Sequence, residues 1–320
     1  MKIGLLEPLR VTDDLLEELV QPLKDAGHEF VSYDEKAKDE EELYERSKDL
    51  DIVIIANRPY PASVIERLDQ TKYIDVAFTG VNHVGMDAAN KKDIVVSNAS
   101  GYANRSVPEL SLALTLGLYR HLVTLDQETR ATDEDLPLIQ GQEIAGKTVG
   151  IIGTGKLGIA TAKLFKAFGA KLIGYSRTEK DEAKELGLTY HSLEKVMAES
   201  DIISIHLAQT KETEGLISKE QIARMKKSAI LINVARGPIV DNDALAEALN
   251  EEKIAGAGID VYDQEPPLPA DYPLLKAKNT LLTPHVGFLT DEAMVKRARI
   301  AFENVEAFLD GEPQNVMSES

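Results

Sequence analysis

Short apolar runs alternate with amphipathic stretches along nearly the whole chain, and this alternation constrains the fold more than any other feature. MKIGLLEPL at the start, DIVIIAN (Asp51–Asn57), KYIDVAF (Lys72–Phe78) and IVVSN (Ile94–Asn98) read as strands. TDDLLEELVQPLKDAG reads as a helix, with Thr12 as its N-cap and Gly27 near its end. Further on the alternation restarts. TVGII is a strand, KLGIATAKLFKAFG a helix and AKLIGYS a strand; DIISIHL, AILINVA, IAGAGIDV and NTLLTP supply more strands. Strands separated by helices form parallel sheets covered on both faces. The expected class is α/β with doubly wound parallel sheets.

Two segments set the expected domain plan. A long apolar helix over Val107–Thr129 includes ELSLALTLGLYRHL, whose apolar residues nearly encircle the axis. Such a helix is buried on most sides, between domains or against a partner subunit. The loop ATDEDLPLIQGQEIAGK follows it. The final amphipathic segment, TDEAMVKRARIAFENVEAFLDG, comes after the second set of strands and needs an apolar surface. Returning it to the first set makes the central unit an insertion. The expectation is one domain from residues 1–99 plus 290–320 and another from 100–289; the 320 residues suit two ordinary domains.

Composition removes several classes. The formal charge of −18 argues against a nucleic-acid groove, because phosphates would be repelled. It also means that an anionic ligand needs a local cluster of positive charge. With no cysteine there are no disulfides and no thiolate chemistry. The start lacks the pattern of a secretory signal, and no apolar run approaches the ~20 residues of a membrane helix. A cytoplasmic soluble protein is expected. The six histidines are scattered without metal-ligand spacing, so no metal is expected, and no G-x-S-x-G elbow or P-loop is present.

GIIGTGKLG carries Gly153, Gly155 and Gly158 in G-x-G-x-x-G spacing, with a strand running in and a helix running out. The first glycine permits a tight turn, the second lets the backbone approach a pyrophosphate, and the third lets helix and strand pack closely. The helix N-terminus then offers N–H groups to phosphate. The next strand ends in Ser176, Arg177 and Thr178, where an acid would hold an adenosine ribose hydroxyl. A carboxylate repels a 2′-phosphate, whereas this set attracts one. NADP(H) is the favoured cofactor, with NAD(H) possible.

Three ionisable groups follow later strands: Arg236 in NVARGPIVD, Glu265 in DVYDQEPP and His285 in TPHVG. Carboxyl ends of strands line the ligand crevice of an open parallel sheet, so all three can face a nicotinamide.

On GKTVGIIGTGKLG, DIISIHL with KETEGLIS, INVARGPIVD, DVYDQEPP and TPHVG, the chain resembles the D-isomer-specific 2-hydroxyacid dehydrogenase family over nearly its whole length. The resemblance implies two Rossmann-like or flavodoxin-like domains, the cofactor domain inserted into the substrate domain, and a homodimer. It implies reversible hydride transfer between a nicotinamide and C2 of a small 2-keto or 2-hydroxy acid. Arg236 would grip the substrate carboxylate, His285 would exchange the proton, and Glu265 would hold the imidazole in its charged form. Backbone N–H groups of Thr79 and Gly80 match the loop that receives the carboxylate. Lys156, Leu157, Val234, Ala235, Asp260 and Gly287 match cofactor-contact positions, and His206 with Leu207 falls on the loop near the cofactor. His28, His121 and His191 read as structural.

The chain also departs from the family pattern. Ala208 stands where Pro is frequent, Pro108 where Ala is frequent, and Phe288 where a small residue is usual. Phe288 joins the substrate pocket, with Tyr102, Arg58, Tyr60 and Phe78 as further candidates. Glyoxylate or hydroxypyruvate reduction agrees with an NADP-type strand end; a D-lactate-like dehydrogenase and a phosphoglycerate dehydrogenase are the alternatives. A formate dehydrogenase would carry Gln at position 265. A reading of another class is a nucleotide-sensing scaffold like the C-terminal-binding-protein corepressors. The chain lacks the disordered extensions such partner-recruiting proteins carry.

Overall fold

The computed structural model describes residues 1–131 and 138–317, so residues 132–137 of the expected loop lie outside the described residues. Two compact units result: Met1–Ala103 together with the chain from Leu289 onward, and Asn104–Phe288.

The first unit holds a parallel sheet of β1 (Lys2–Leu5), β2 (Glu29–Ser32), β3 (Ile52–Ile55), β4 (Tyr73–Val76) and β5 (Val95–Asn98), in the order β2-β1-β3-β4-β5. Every residue of β3 and β4 is buried, as a sheet covered on both faces requires. Thr12 caps the helix Asp13–Asp25, its hydroxyl accepting from the Leu15 N–H at 3.4 Å, and Gly27 follows the helix with φ +83°. The helix Asp291–Leu309 packs on this sheet. Its Ala298, Ala301, Phe302 and Val305 share one core with Ile3, Ile52, Ile54 and Tyr73. Asn304 Nδ2 donates to Asp75 Oδ1 at 2.8 Å and to the Asn98 carbonyl at 3.0 Å, tying the helix to β4 and β5. Truncating Phe302, 1 % exposed, to alanine removes about 3–5 kcal/mol of packing. Tyr102 lies 6.2 Å from Phe78, ring to ring, within this unit.

The second unit holds β6 (Thr148–Ile152), β7 (Lys171–Tyr175), β8 (Thr189–Tyr190), β9 (Ile202–Ile205), β10 (Ile230–Asn233), β11 (Gly256–Ile259) and β12 (Thr280–Leu282), in the order β8-β7-β6-β9-β10-β11-β12. Every pairing is parallel. The strand order reverses direction between β6 and β9, and a crevice opens at the carboxyl ends of such a pair.

The structure corrects the sequence reading in three places. Strands β2 and β8 were absent from the expected set; both are short edge strands, and neither has a buried residue. The expected single helix over Val107–Thr129 is two, Ser106–Tyr119 and Leu122–Ala131. His121 takes φ +51°, a left-handed conformation that ends a helix. The first of the two packs against strands of its own unit: a methyl on Gly117 would meet Leu281 at 2.7 Å, and one on Gly258 would meet Leu114 at 2.9 Å.

Candidate active site

The glycine loop lies between β6 and the helix Lys156–Ala167. Gly153 has φ +95°, and a Cβ there would stand 2.7 Å from the His206 carbonyl oxygen. A Cβ on Gly158 would lie 1.9 Å from the Gly153 oxygen, so helix and loop touch where only a hydrogen fits. Gly155 is the opposite case, because nothing lies within 4 Å of the position a Cβ would take. No side chain caps the helix that Gly155 opens, so among the described residues its first-turn N–H groups have no capping partner. An open backbone beside uncapped N–H groups is what a pyrophosphate needs, so these residues fit a dinucleotide.

A brace supports the loop. Tyr190 Oη on β8 donates to Thr154 Oγ1 at 2.7 Å and accepts from the Lys180 N–H at 2.9 Å. Thr154 is buried in the middle of the loop. Sequence reading assigned neither residue a role, because β8 is too short to show a period.

At the end of β7, Ser176 is half-buried while Arg177 and Thr178 are exposed. The Arg177 charge helps hold the Glu212 carboxyl below its usual range, after the Thr210 hydroxyl, which contributes most. Leu207 flanks Gly153, its side chain 2.9 Å from the position of an added Cβ. The His206 ring faces inward. Its Nε2 pairs with Ser204 Oγ at 2.8 Å, and that hydroxyl pairs with Ser111 Oγ at 2.8 Å. Burial pushes the His206 pKa down to about 3, so the ring is neutral at physiological pH.

Arg236 follows β10. Asn233 folds its amide around this turn, accepting from the Ala235 N–H at 3.1 Å and donating to the Arg236 carbonyl at 3.0 Å. Val234 and Ala235 are buried between them. Arg236 Nη1 donates to the Ala235 carbonyl at 2.7 Å. The next residue must be glycine, since a Cβ on Gly237 would fall 1.9 Å from the Tyr262 carbonyl carbon.

Asp260, 1 % exposed at the end of β11, organises the turn that carries His285. Its carboxylate accepts from Thr283 Oγ1 at 2.6 Å and from the Val286 and Gly287 N–H groups at 2.8 Å each. Desolvation raises its pKa, and these three bonds work in the other direction. His285 has φ +54°, and its N–H donates to the Asp260 carbonyl at 2.8 Å. Its Nδ1 meets Glu265 Oε1 at 2.8 Å and Oε2 at 2.9 Å. The hydrogen bond to His285 does most to lower the Glu265 pKa, and the charges of His285 and Arg236 act in the same sense. The Phe288 ring stands edge-on to the imidazole at 5.8 Å. Arg236, Glu265 and His285 therefore form one electrostatic cluster at the carboxyl ends of β10, β11 and β12.

In the first unit, Thr79 and Gly80 follow β4, with the Thr79 carbonyl held by Asn98 Nδ2 at 2.7 Å. Among the described residues, neither N–H group donates to another group of the chain. Of the further pocket candidates, Phe78, Tyr102 and Tyr60 are buried, while Arg58 is exposed and donates to the Ala37 carbonyl at 3.0 Å. No group of three or more His, Asp or Glu among the described residues could hold a metal, and no described helix is long and apolar enough to cross a membrane.

A parallel sheet with a glycine loop at its switch point and an Arg–Glu–His cluster at the carboxyl ends of further strands is the arrangement expected of a nicotinamide-dependent oxidoreductase. The profile for "D-isomer specific 2-hydroxyacid dehydrogenase, NAD binding domain" matches residues 112–287. The chain is 36% identical over 300 residues to a hydroxypyruvate reductase of Blautia hydrogenotrophica, covering 91% of this chain and 92% of that protein. It is 36% identical over 293 residues to a glyoxylate reductase of Korarchaeum cryptofilum, covering 89% and 88%. Among solved structures, an acyclic imino acid reductase in complex with NADPH and D-Arg superposes with a TM-score of 0.89 at 27% identity, covering 99% of this chain and all of that one. The chain belongs to the D-isomer specific 2-hydroxyacid dehydrogenase family. It is an oxidoreductase acting on the CH–OH group of 2-hydroxy acids with a nicotinamide cofactor.

Proposed function

We propose that the chain reduces glyoxylate, hydroxypyruvate or a related small 2-keto acid to the D-hydroxy acid, with NADPH preferred over NADH. The observation that carries this reading is the two-oxygen contact between Glu265 and His285 Nδ1, with the Arg236 charge acting on the same carboxylate. A bound reduced nicotinamide supplies the hydride that adds to C2 of the keto acid. Arg236 holds the substrate carboxylate and polarises the carbonyl through a planar fork of donors. As the carbonyl electron pair moves onto oxygen, His285 delivers a proton from Nε2, and Glu265 keeps the ring oriented and favours its charged form. Phe288, edge-on to that ring, lines the substrate side. The N–H groups of Thr79 and Gly80, which donate to no other group among the described residues, are suited to a carboxylate.

The glycine loop with Lys156, Leu157, Leu207, Val234, Ala235, Asp260 and Gly287 would hold the dinucleotide. His206 contributes its backbone there, its ring being turned to Ser204. The exposed Arg177, flanked by the hydroxyls of Ser176 and Thr178, supports selection of a 2′-phosphate; each such charged hydrogen bond is worth about 1.5–3 kcal/mol. Exposed Leu122, Val123 and Phe168 on the second unit support a homodimer, and the cytoplasm is the proposed compartment.

A panel of small 2-keto acids, including glyoxylate, hydroxypyruvate and pyruvate, assayed with NADPH and NADH tests the reading. The expected result is the highest kcat/KM for hydroxypyruvate or glyoxylate with NADPH. Turnover confined to pyruvate or branched keto acids would replace the substrate, and equal rates with both cofactors would remove the role of Arg177.

A further inference from the structure

Tyr190 lies on the two-residue edge strand β8, paired in register with Gly174 of β7. Its half-buried side chain reaches past the end of β6: Oη donates to Thr154 Oγ1 at 2.7 Å, and Thr154 is 1 % exposed inside the glycine loop. The same oxygen accepts from the Lys180 N–H at 2.9 Å. A phenol has one proton to give, and here it goes to the glycine loop. A lone pair of the same atom takes the N–H at the far end of the segment that carries Arg177. One oxygen therefore joins the loops that follow β6 and β7.

The segment after β7 has little else to hold it. Its near end is fixed where the Gly153 N–H donates to the Tyr175 carbonyl at 2.8 Å. Among the described residues, the backbone of residues 176–179 makes no hydrogen bond to another group. Lys184 Nζ pairs with Glu179 Oε2 at 2.7 Å, but both side chains are about half in solvent, and such exposed pairs contribute little. Lys180 then leads into the helix Asp181–Glu185. Ser176, Arg177 and Thr178 thus stand on a short span held to the glycine loop at Tyr175 and at Lys180, and Tyr190 supplies the second of these ties.

We propose that Tyr190 is a positioning residue that sets the choice between the two nicotinamide cofactors. Its hydroxyl holds the glycine loop and the Arg177 segment at one spacing, so that the pyrophosphate and the 2′-phosphate of a single NADPH are met together; this role rests on Arg177 receiving the 2′-phosphate. A site already arranged in its bound form does not lose side-chain and loop freedom when the ligand arrives. NADPH draws on both loops and gains from that arrangement twice. NADH has no 2′-phosphate and draws chiefly on the glycine loop. Freeing the far end of the segment therefore falls mainly on NADPH, whereas a brace that only steadied the fold would weaken both cofactors alike.

Fluorescence titration of the full chain with NADPH and with NADH, without keto acid, tests the proposal in the wild type, Tyr190→Phe, Arg177→Gln and the double variant, each shown to be folded by a thermal melt. Tyr190→Phe removes one oxygen and keeps the ring. It is expected to raise the Kd for NADPH about twofold to tenfold more than the Kd for NADH, the effect of one uncharged hydrogen bond. In the Arg177→Gln background that extra loss should disappear, because the two side chains act on the same phosphate. Equal rises for both cofactors in Tyr190→Phe, or no rise, would overturn the role of Tyr190 while a changed ratio in Arg177→Gln left the reading of Arg177 intact. A selective loss that persisted in full without Arg177 would also overturn it. An unchanged ratio in Arg177→Gln alone would remove the reading of Arg177 and this role with it.

Discussion

One nitrogen of His285, Nδ1, stands 2.8 Å from Glu265 Oε1 and 2.9 Å from Oε2. A carboxylate so placed fixes the ring and stabilises its charged form. Glu265→Gln keeps the shape and removes the charge. Without that carboxylate the ring is held less firmly for proton delivery, so kcat/KM for keto-acid reduction should fall while NADPH affinity stays. Steady-state rates and cofactor titration of the variant check this; an unchanged kcat/KM would break the assigned pairing.

Arg177 ends β7 in the open, where a 2′-phosphate would sit. Arg177→Gln is expected to raise the KM for NADPH about tenfold to a hundredfold, the effect of one charged hydrogen bond, and to change the KM for NADH little. Parallel changes for both cofactors would show that the side chain does not read the phosphate.

Two glycines of one motif should fail in different ways. A methyl on Gly158 lands 1.9 Å from the Gly153 oxygen, so Gly158→Ala forces helix and loop apart. Overpacking of this kind costs about 1–3 kcal/mol, and roughly 2–4 °C of melting temperature per kcal/mol follows for a unit of this size. A methyl on Gly155 meets nothing within 4 Å, so Gly155→Ala should melt like the wild type yet bind NADPH more weakly, because the methyl occupies the approach of the pyrophosphate. Thermal melts paired with cofactor titration separate the two.

Asp75 is fully buried on β4, and burial raises its pKa well above the usual carboxylate range. The folded protein therefore binds this proton more tightly than the unfolded chain, and the contribution of Asp75 to stability declines as pH rises above about 4. Asp75→Asn removes that decline. Its stability relative to the wild type should grow as pH increases from 4 through the neutral range, measured by urea unfolding; a constant difference would show that Asp75 does not titrate.

The strands that carry the site were legible because each is a mostly apolar run, TVGII, ILIN or TLL, followed within three residues by Gly153, Arg236 or His285. β2 and β8 were not, since edge strands of two to four residues with mixed burial show no clean period. The break at His121 also left no mark in an apolar helical pattern, because the residue supplies its own left-handed turn. The positions of Arg236, Glu265 and His285 could be read directly. The groups that hold them in place could not: the Asn233 amide spans its own turn, and the roles of Asp260 and Tyr190 depend on partners about 25 and 36 residues away in the chain.

Steady-state reduction of hydroxypyruvate by NADPH in the wild type and in His285→Asn tests the central claim most directly. The account predicts turnover to D-glycerate in the wild type and a kcat/KM lower by about a hundredfold to ten-thousandfold in the variant, the range for losing a general acid, with NADPH affinity retained. Equal kcat/KM in the two proteins would contradict it.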